Sequence, residues 1–200
     1  PGSEPSAYPC VEMVFDPAVN LCDSVLAPAL EATSVLEDAG RTALRCVEAL
    51  DAAARGRSGV GAAGVFAVEL FLTRDGRVLV NEAAPRPHNS GHYTQEACAA
   101  SQFEQYFRIL AGLPTAATEL LCPAMMVNIL GAPGTSGCPE YEGLAEALAV
   151  PGVTVHIYGK REVRPFRKMG HLTAVARTAD EAVRRASAAR ARLRAVAAGS

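Results

Sequence analysis

The chain has 200 residues and a mass of 20.9 kDa, enough for one domain, or one domain plus a terminal appendage, with a sizeable core. Half of the residues are apolar and a fifth are charged, which excludes a disordered or coiled-coil chain. The 19 Lys+Arg against 21 Asp+Glu leave a formal charge of −2 and argue against a nucleic-acid partner held by bulk charge. No apolar run reaches membrane-spanning length, so neither a transmembrane helix nor a membrane partner is expected, and the chain reads as soluble and globular. Six cysteines, none in a CxxC pair, read as reduced, buried thiols, which points to a reducing, cytoplasmic setting with a plastid still open. Pro1-Gly2-Ser3-Glu4-Pro5 has no basic or apolar leader region and looks like the interior of a longer chain.

In chain order, Tyr8 to Phe15 reads as a short strand followed by a loop. Pro28 then opens a long helix, Ala29 to about Ala54, with Leu30, Leu36, Ala39, Ala43, Val47 and Leu50 near one face. Phe66 to Thr73 and Arg77 to Glu82 flank Asp75-Gly76, a two-residue hairpin signal. Ser101, with Glu104 three residues later, caps a helix that ends near Gly112-Leu113-Pro114. Ala124 to Leu130 predicts a buried strand, and a short helix follows around Glu140 to Leu148. Val153 to Tyr158 and Leu172 to Ala176 predict two strands around a basic segment, and Asp180 to Ala198 a terminal Ala/Arg helix or linker. Together these elements predict an α+β fold with a mainly antiparallel sheet.

A two-residue Asp75-Gly76 loop pairs residues whose numbers sum to 151, which sets Glu69 opposite Glu82, Phe71 opposite Val80 and Thr73 opposite Val78. Like charges directly opposed on neighbouring strands destabilise each other, and apolar neighbours raise the cost of both charges. A divalent cation between them removes both penalties, and oxygen-only ligation suits magnesium. The alternative is a solvated hairpin edge, and a one-residue bulge would break the register.

The loop that follows, Asn81-Glu82-Ala83-Ala84-Pro85-Arg86-Pro87-His88-Asn89-Ser90-Gly91-His92, concentrates a carboxylate, amides, a guanidinium, a hydroxyl and two imidazoles. Two prolines stiffen it, Arg86 can hold a phosphate or carboxylate with both guanidinium arms, and the Ser90-Gly91 backbone can approach an anion. Zinc on His88 and His92 would need a regular helix that Pro and Gly preclude.

The run from Val80 to His92, followed by Ser101-Gln102-Phe103-Glu104-Gln105, resembles the signature of the 5-(carboxyamino)imidazole ribonucleotide synthases, ATP-grasp ligases of purine biosynthesis. Val68-Glu69-Leu70-Phe71, Met126 to Gly131, His156-Ile157-Tyr158-Gly159-Lys160 and Arg167-Lys168-Met169-Gly170-His171 are similar too, in family order from about Tyr8 to Ala176. The resemblance implies the C-terminal part of an ATP-grasp domain over residues 1–131, a small β-rich subdomain over 132–178, and a helix or linker over 179–200. It implies magnesium on Glu69 and Glu82, with Asn81 and Glu82 at ATP. Arg86, His88 and Asn89 fall where the family handles phosphate and activated bicarbonate, and Ser90, Lys160, Arg167 and Lys168 where it binds substrate. The segment from Lys160 to Lys168 carries five positive charges and one negative, which suits a phosphate dianion. Where Phe166 stands, the family commonly has Gly.

The implied reaction is ATP-dependent carboxylation of aminoimidazole ribonucleotide with bicarbonate, through carboxyphosphate. A homodimer, and a fused or separate carboxylase (mutase) domain, stay open as partners. Only two lysines occur, Lys160 and Lys168, so the lysines with which the family clamps its nucleotide have no counterpart before residue 160. A segment inactive by itself is therefore expected. Two other readings remain: another ATP-grasp ligase, and a non-catalytic remnant or scaffold.

Overall fold

The computed structural model describes residues 5–19 and 21–199; the reading of Pro1-Gly2-Ser3-Glu4 as interior chain lies outside them. In chain order the elements are β1 (Glu12–Asp16), β2 (Leu21–Ala27), α1 (Thr33–Ser58), β3 (Ala67–Leu72), β4 (Val78–Ala84), α2 (Thr94–Ala97), α3 (Gln102–Leu110), β5 (Ala124–Leu130), β6 (Pro139–Glu142), α4 (Leu144–Leu148), β7 (Val153–Ile157), β8 (Lys168–Val175), α5 (Ala179–Arg190) and β9 (Arg194–Ala197). They form two compact units: Pro1–Cys10 with Ala29–Leu121, and Val11–Pro28 with Cys122–Ser200. Among the described residues no helix is long and apolar enough to cross a membrane.

The first unit combines α1, the β3–β4 hairpin and the polar loop with α2 and α3. Helix α1 starts four residues later than expected, so Leu30 precedes it and is 62 % exposed. Leu36, Ala39, Ala43 and Val47 form its half-buried face. Leu50, one turn farther along, is 41 % exposed, and Asp51 beside it accepts from Arg55 Nε and from the Ala62 amide at 2.8 Å each, which holds its carboxyl below the usual range. Under the loop sits a small core of Tyr93, Thr94, Ala97, Cys98, Ala100, Gln102 and Gln105. Burial of its backbone polar groups is matched by hydrogen bonds: Ala99 N–H to Glu119 O (3.0 Å), Leu121 N–H to Ala97 O (2.7 Å), and Tyr8 Oη–H to Ala100 O (2.7 Å). Helix α3 begins as its cap predicts, with Ser101 Oγ accepting from the Glu104 amide at 3.1 Å.

The second unit is built on an antiparallel five-stranded sheet of order β1-β2-β5-β8-β7, with β6–β9 as a separate pair. Strand β5 is almost wholly buried, as its largely apolar run requires, with its one polar residue, Asn128, bonded through Nδ2 to the Cys22 carbonyl. Helix α5 lays Ala186 and Ala189 on the core formed by Val127, Ile129, Val163, Met169, Leu172 and Ala195, and buries Ala182 as well. Small side chains let that helix sit close, and Thr178 caps it by accepting from Glu181 N–H at 3.3 Å.

Several expectations need correction. The loop expected after the first strand contains β2, a central strand of the second unit, so residues 11–28 belong with that unit's sheet. The stretch from Glu140 is strand β6 before it becomes α4, and the terminal segment is α5 followed by β9. The six cysteines form no disulfide, but only Cys22 and Cys98 are buried and Cys138 is exposed.

Candidate active site

The β3–β4 turn is not the two-residue loop that Asp75-Gly76 suggests. Thr73 N–H donates to Arg77 O and Gly76 N–H to Thr73 O, both at 2.9 Å, which makes a three-residue loop with Gly76 at φ +81°. Glycine alone takes that conformation without a Cβ penalty. The register next to the turn is accordingly one residue short of the expectation, with Leu72 opposite Val78, Phe71 opposite Leu79 and Leu70 opposite Val80. A bulge at Asn81 then restores it, and Glu69 faces Glu82 after all. Two departures cancel. The apolar surroundings expected for the carboxylates are also different: Phe71, Leu72, Leu79 and Val80 are 57, 44, 43 and 44 % exposed, and Glu82 is exposed. Only Glu69, with 17 % of its side chain accessible, is shielded.

Next to this pair the loop supplies an imidazole. His88 Nε2 lies 3.8 Å from Glu69 Oε1, and one ligand atom from each of Glu69, Glu82 and His88 falls within 4.8 Å of the others. The bulged Asn81 donates from Nδ2 to Glu69 Oε2 at 3.5 Å. Ser90 N–H reaches His88 Nδ1 at 3.4 Å and Ser90 Oγ lies 3.0 Å from the same nitrogen. Nδ1 is thus the acceptor, which leaves Nε2 as the protonated nitrogen of the neutral ring, toward Glu69. Two carboxylates able to take a hard cation fit magnesium, which completes its shell with water and phosphate oxygens. Asn89 opens a 3-10 turn (Asn89–Gly91), and the exposed Arg86 donates from Nη1 to Pro87 O at 3.2 Å.

A residue given no role of its own in the sequence reading holds this loop. Gln102, 4 % exposed on the first turn of α3, accepts from His88 N–H through Oε1 at 2.9 Å and donates from Nε2 to His88 O at 2.8 Å. The same Nε2 lies 2.8 Å from His92 Nδ1. Gly91 is small because of it: a Cβ there would stand 2.6 Å from Gln102 Oε1. The sequence reading gave Gly91 to anion approach, whereas its hydrogen faces this amide. A polar residue directly after a helix cap normally faces water, so nothing local signalled burial.

In the second unit the basic segment brings Lys160, Arg167 and Lys168 together. Lys160 Nζ donates to the Lys168 carbonyl and stands 5.7 Å from the Tyr158 ring centroid. Burial, then the charges of Arg167 and Lys168, pull the Lys160 pKa below the ordinary lysine range. Arg167 Nη1 donates to Glu162 O at 2.8 Å. Not all five positive charges are available, because Arg164 is paired with Glu162 at 2.6 Å. Beneath the segment His171, 2 % exposed, stacks on His156 at 4.6 Å and meets Tyr158 Oη through Nδ1 at 3.0 Å. Phe166 has φ +60°, which is why glycine suits that position; its N–H donates to Gly131 O at 2.9 Å.

Residues 3–103, which carry the carboxylate hairpin and the polar loop, match the ATP-grasp domain family, to which the chain belongs. Residues 124–185 match the phosphoribosylaminoimidazole carboxylase C-terminal domain. Over 187 residues the chain is 40 % identical to a phosphoribosylaminoimidazole carboxylase of Schizosaccharomyces pombe, covering 90 % of this chain and 31 % of the relative. It superposes on N5-carboxyaminoimidazole ribonucleotide synthetase from Thermotoga maritima with a TM-score of 0.82 and 47 % identity, covering 95 % of this chain and 48 % of that one. The Aspergillus clavatus N5-carboxyaminoimidazole synthase, solved in complex with ADP and 5-aminoimidazole ribonucleotide, gives a TM-score of 0.75 and 36 % identity over 89 % of this chain and 44 % of that one. The chain thus spans about a third of the S. pombe relative's length and about half of these structures'.

Proposed function

We propose that the chain is part of an enzyme that carboxylates 5-aminoimidazole ribonucleotide with bicarbonate, driven by ATP, in purine biosynthesis. The observation that carries this reading is the opposition of Glu69 and Glu82 across a bulged hairpin, with His88 alongside. The relatives' names and the ADP and ribonucleotide bound by the Aspergillus structure support it.

In this reading a bicarbonate oxygen attacks the γ-phosphorus of ATP and ADP leaves, giving carboxyphosphate. The amine of the ribonucleotide then attacks the carboxyl carbon, phosphate leaves, and the carbamate forms. Glu69 and Glu82 would hold magnesium, which would neutralise charge on the nucleotide phosphates. Asn81 orients Glu69 through its amide and lies at the nucleotide. Arg86, His88 and Asn89 receive the transferred phosphate and the bicarbonate-derived group; the rigid loop keeps that group from water. Ser90 sets the His88 ring. Lys160, Arg167 and Lys168 take the phosphate of the ribonucleotide, where three converging cations match a dianion better than one would.

Titration calorimetry with magnesium-ADP, and separately with 5-aminoimidazole ribonucleotide, tests this on the 200-residue chain. Both ligands are expected to bind, with magnesium-ADP binding weakened ~100-fold or more in Glu82→Gln and ribonucleotide binding unchanged there. A chain that binds neither ligand is a scaffold, and the proposal fails.

A further inference from the structure

The buried carboxamide of Gln102 makes more contacts to the polar loop than holding α3 in place requires. We infer that Gln102 is a positioning residue: it fixes the backbone of His88 and selects the tautomer of His92, making His92 a neutral hydrogen-bond donor through Nε2.

An amide side chain can be turned end for end, but here the backbone decides its orientation. His88 N–H needs an acceptor, so Oε1 stands there, 2.9 Å away; Nε2 then falls 2.8 Å from the His88 carbonyl, which also accepts from Gly91 N–H at 3.0 Å. One hydrogen of Nε2 remains, directed at His92 Nδ1 2.8 Å away. An amide nitrogen has no lone pair to offer, so His92 Nδ1 accepts and the ring proton resides on Nε2. The ring has little freedom to escape this assignment, since it stacks on Phe103 at 5.5 Å with 27° between planes.

The Gln102 backbone ties into the same loop. Its N–H donates to Thr94 Oγ1 at 2.9 Å, and Thr94 Oγ1–H donates to Gly91 O at 2.6 Å. Ser101 and Glu104 already start α3, so the helix does not need the Gln102 side chain. What that side chain does is transmit the rigidity of α3 to the residue whose imidazole stands 3.8 Å from Glu69. The functional weight of this placement rests on the reading above; the tautomer does not.

The test is imidazole nitrogen NMR on the isotope-labelled 200-residue chain, with His92 signals assigned through His92→Asn. In the wild type His92 is expected to show an unprotonated Nδ1 and a protonated Nε2. In Gln102→Glu the near-isosteric carboxylate can only accept, so His92 should carry a proton on Nδ1, while the signals of His156 and His171 in the second unit stay in place. Magnesium-ADP affinity in Gln102→Met should fall ~10-fold, as for loss of an outer support of a metal-proximal ligand. A wild-type His92 protonated on Nδ1 overturns the inference even if no variant folds. So does an unchanged tautomer in folded Gln102→Glu, or unchanged magnesium-ADP affinity in Gln102→Met. If the wild type binds no magnesium-ADP while the tautomer is as stated, the function reading fails and the tautomer assignment survives it.

Discussion

The loop around His88 and the segment from Lys160 to Lys168 are both irregular stretches dense in polar side chains, yet they are held by opposite means. The first is held by side chains: the Gln102 amide bonds both backbone groups of His88, and Thr94 joins Gly91 to α3. The second is held by backbone and an apolar anchor. Gly131 N–H donates to Arg167 O and Val163 N–H to Gly137 O, both at 2.9 Å, while Val163 is wholly buried. The difference follows from charge. Around His88 donors and acceptors are mixed and can satisfy one another, so a polar network is self-consistent. Lys160, Arg167 and Lys168 repel and cannot bond one another, so Lys160 and Arg167 donate to main-chain carbonyls of the segment and main-chain pairing completes the hold.

Substitutions at two glycines set these mechanisms against each other. Gly131→Ala is expected to have the largest effect, because the new Cβ would lie 2.1 Å from the Arg164 carbonyl, a backbone atom that cannot swing aside. Denaturant unfolding should show a loss of about 3 kcal/mol, at the upper end for overpacking. Gly91→Ala meets the far end of the Gln102 side chain, which can move, so about 1–2 kcal/mol is expected. An equal or larger cost at Gly91 would break the comparison. Phe166→Gly should act in the opposite direction. Relief of a left-handed residue is worth about 1–2 kcal/mol and the added freedom of the unfolded chain takes back about 0.5–1, leaving a gain of about 0.5 kcal/mol in the same assay.

The smallest effect concerns pH. Lys160 has its pKa lowered, so its positive charge is present below that value and is lost as pH rises, sooner than for an ordinary lysine. Binding of inorganic phosphate should therefore weaken as pH rises toward the ordinary lysine range, beginning earlier than an ordinary lysine would allow and above the pH at which the anion's own charge has become constant. Lys160→Arg keeps its charge throughout and should give a flat profile; a wild-type profile equally flat would show that Lys160 does not contribute.

Much of the first region could be read locally. Ser101 and Glu104 marked the start of α3, Asp75-Gly76 marked a turn, and Glu69 and Glu82 were expected to face each other. That last expectation held through compensation: the αL conformation of Gly76 removed one step of register and the Asn81 bulge returned it. The second unit was less legible. Strand β2 escaped notice because Cys22, Asp23 and Ser24 interrupt its apolar pattern, yet each of the first two meets a distant partner. Asp23 pairs with Arg190 at 2.5 Å, and the Cys22 carbonyl accepts from Asn128 Nδ2 at 2.8 Å.

The amino-acid sequence alone determined the chemical inventory, the short-range caps and turns, and the strand partners that a tight turn brings together, because these depend on atoms a few bonds apart. Folding in three dimensions decided which amide reaches His88, which glycine packs against the Arg164 carbonyl and which arginine pairs with Asp23. Those outcomes depend on how remote surfaces close on one another, and the same glutamine or glycine, read along the chain, is compatible with burial or with water.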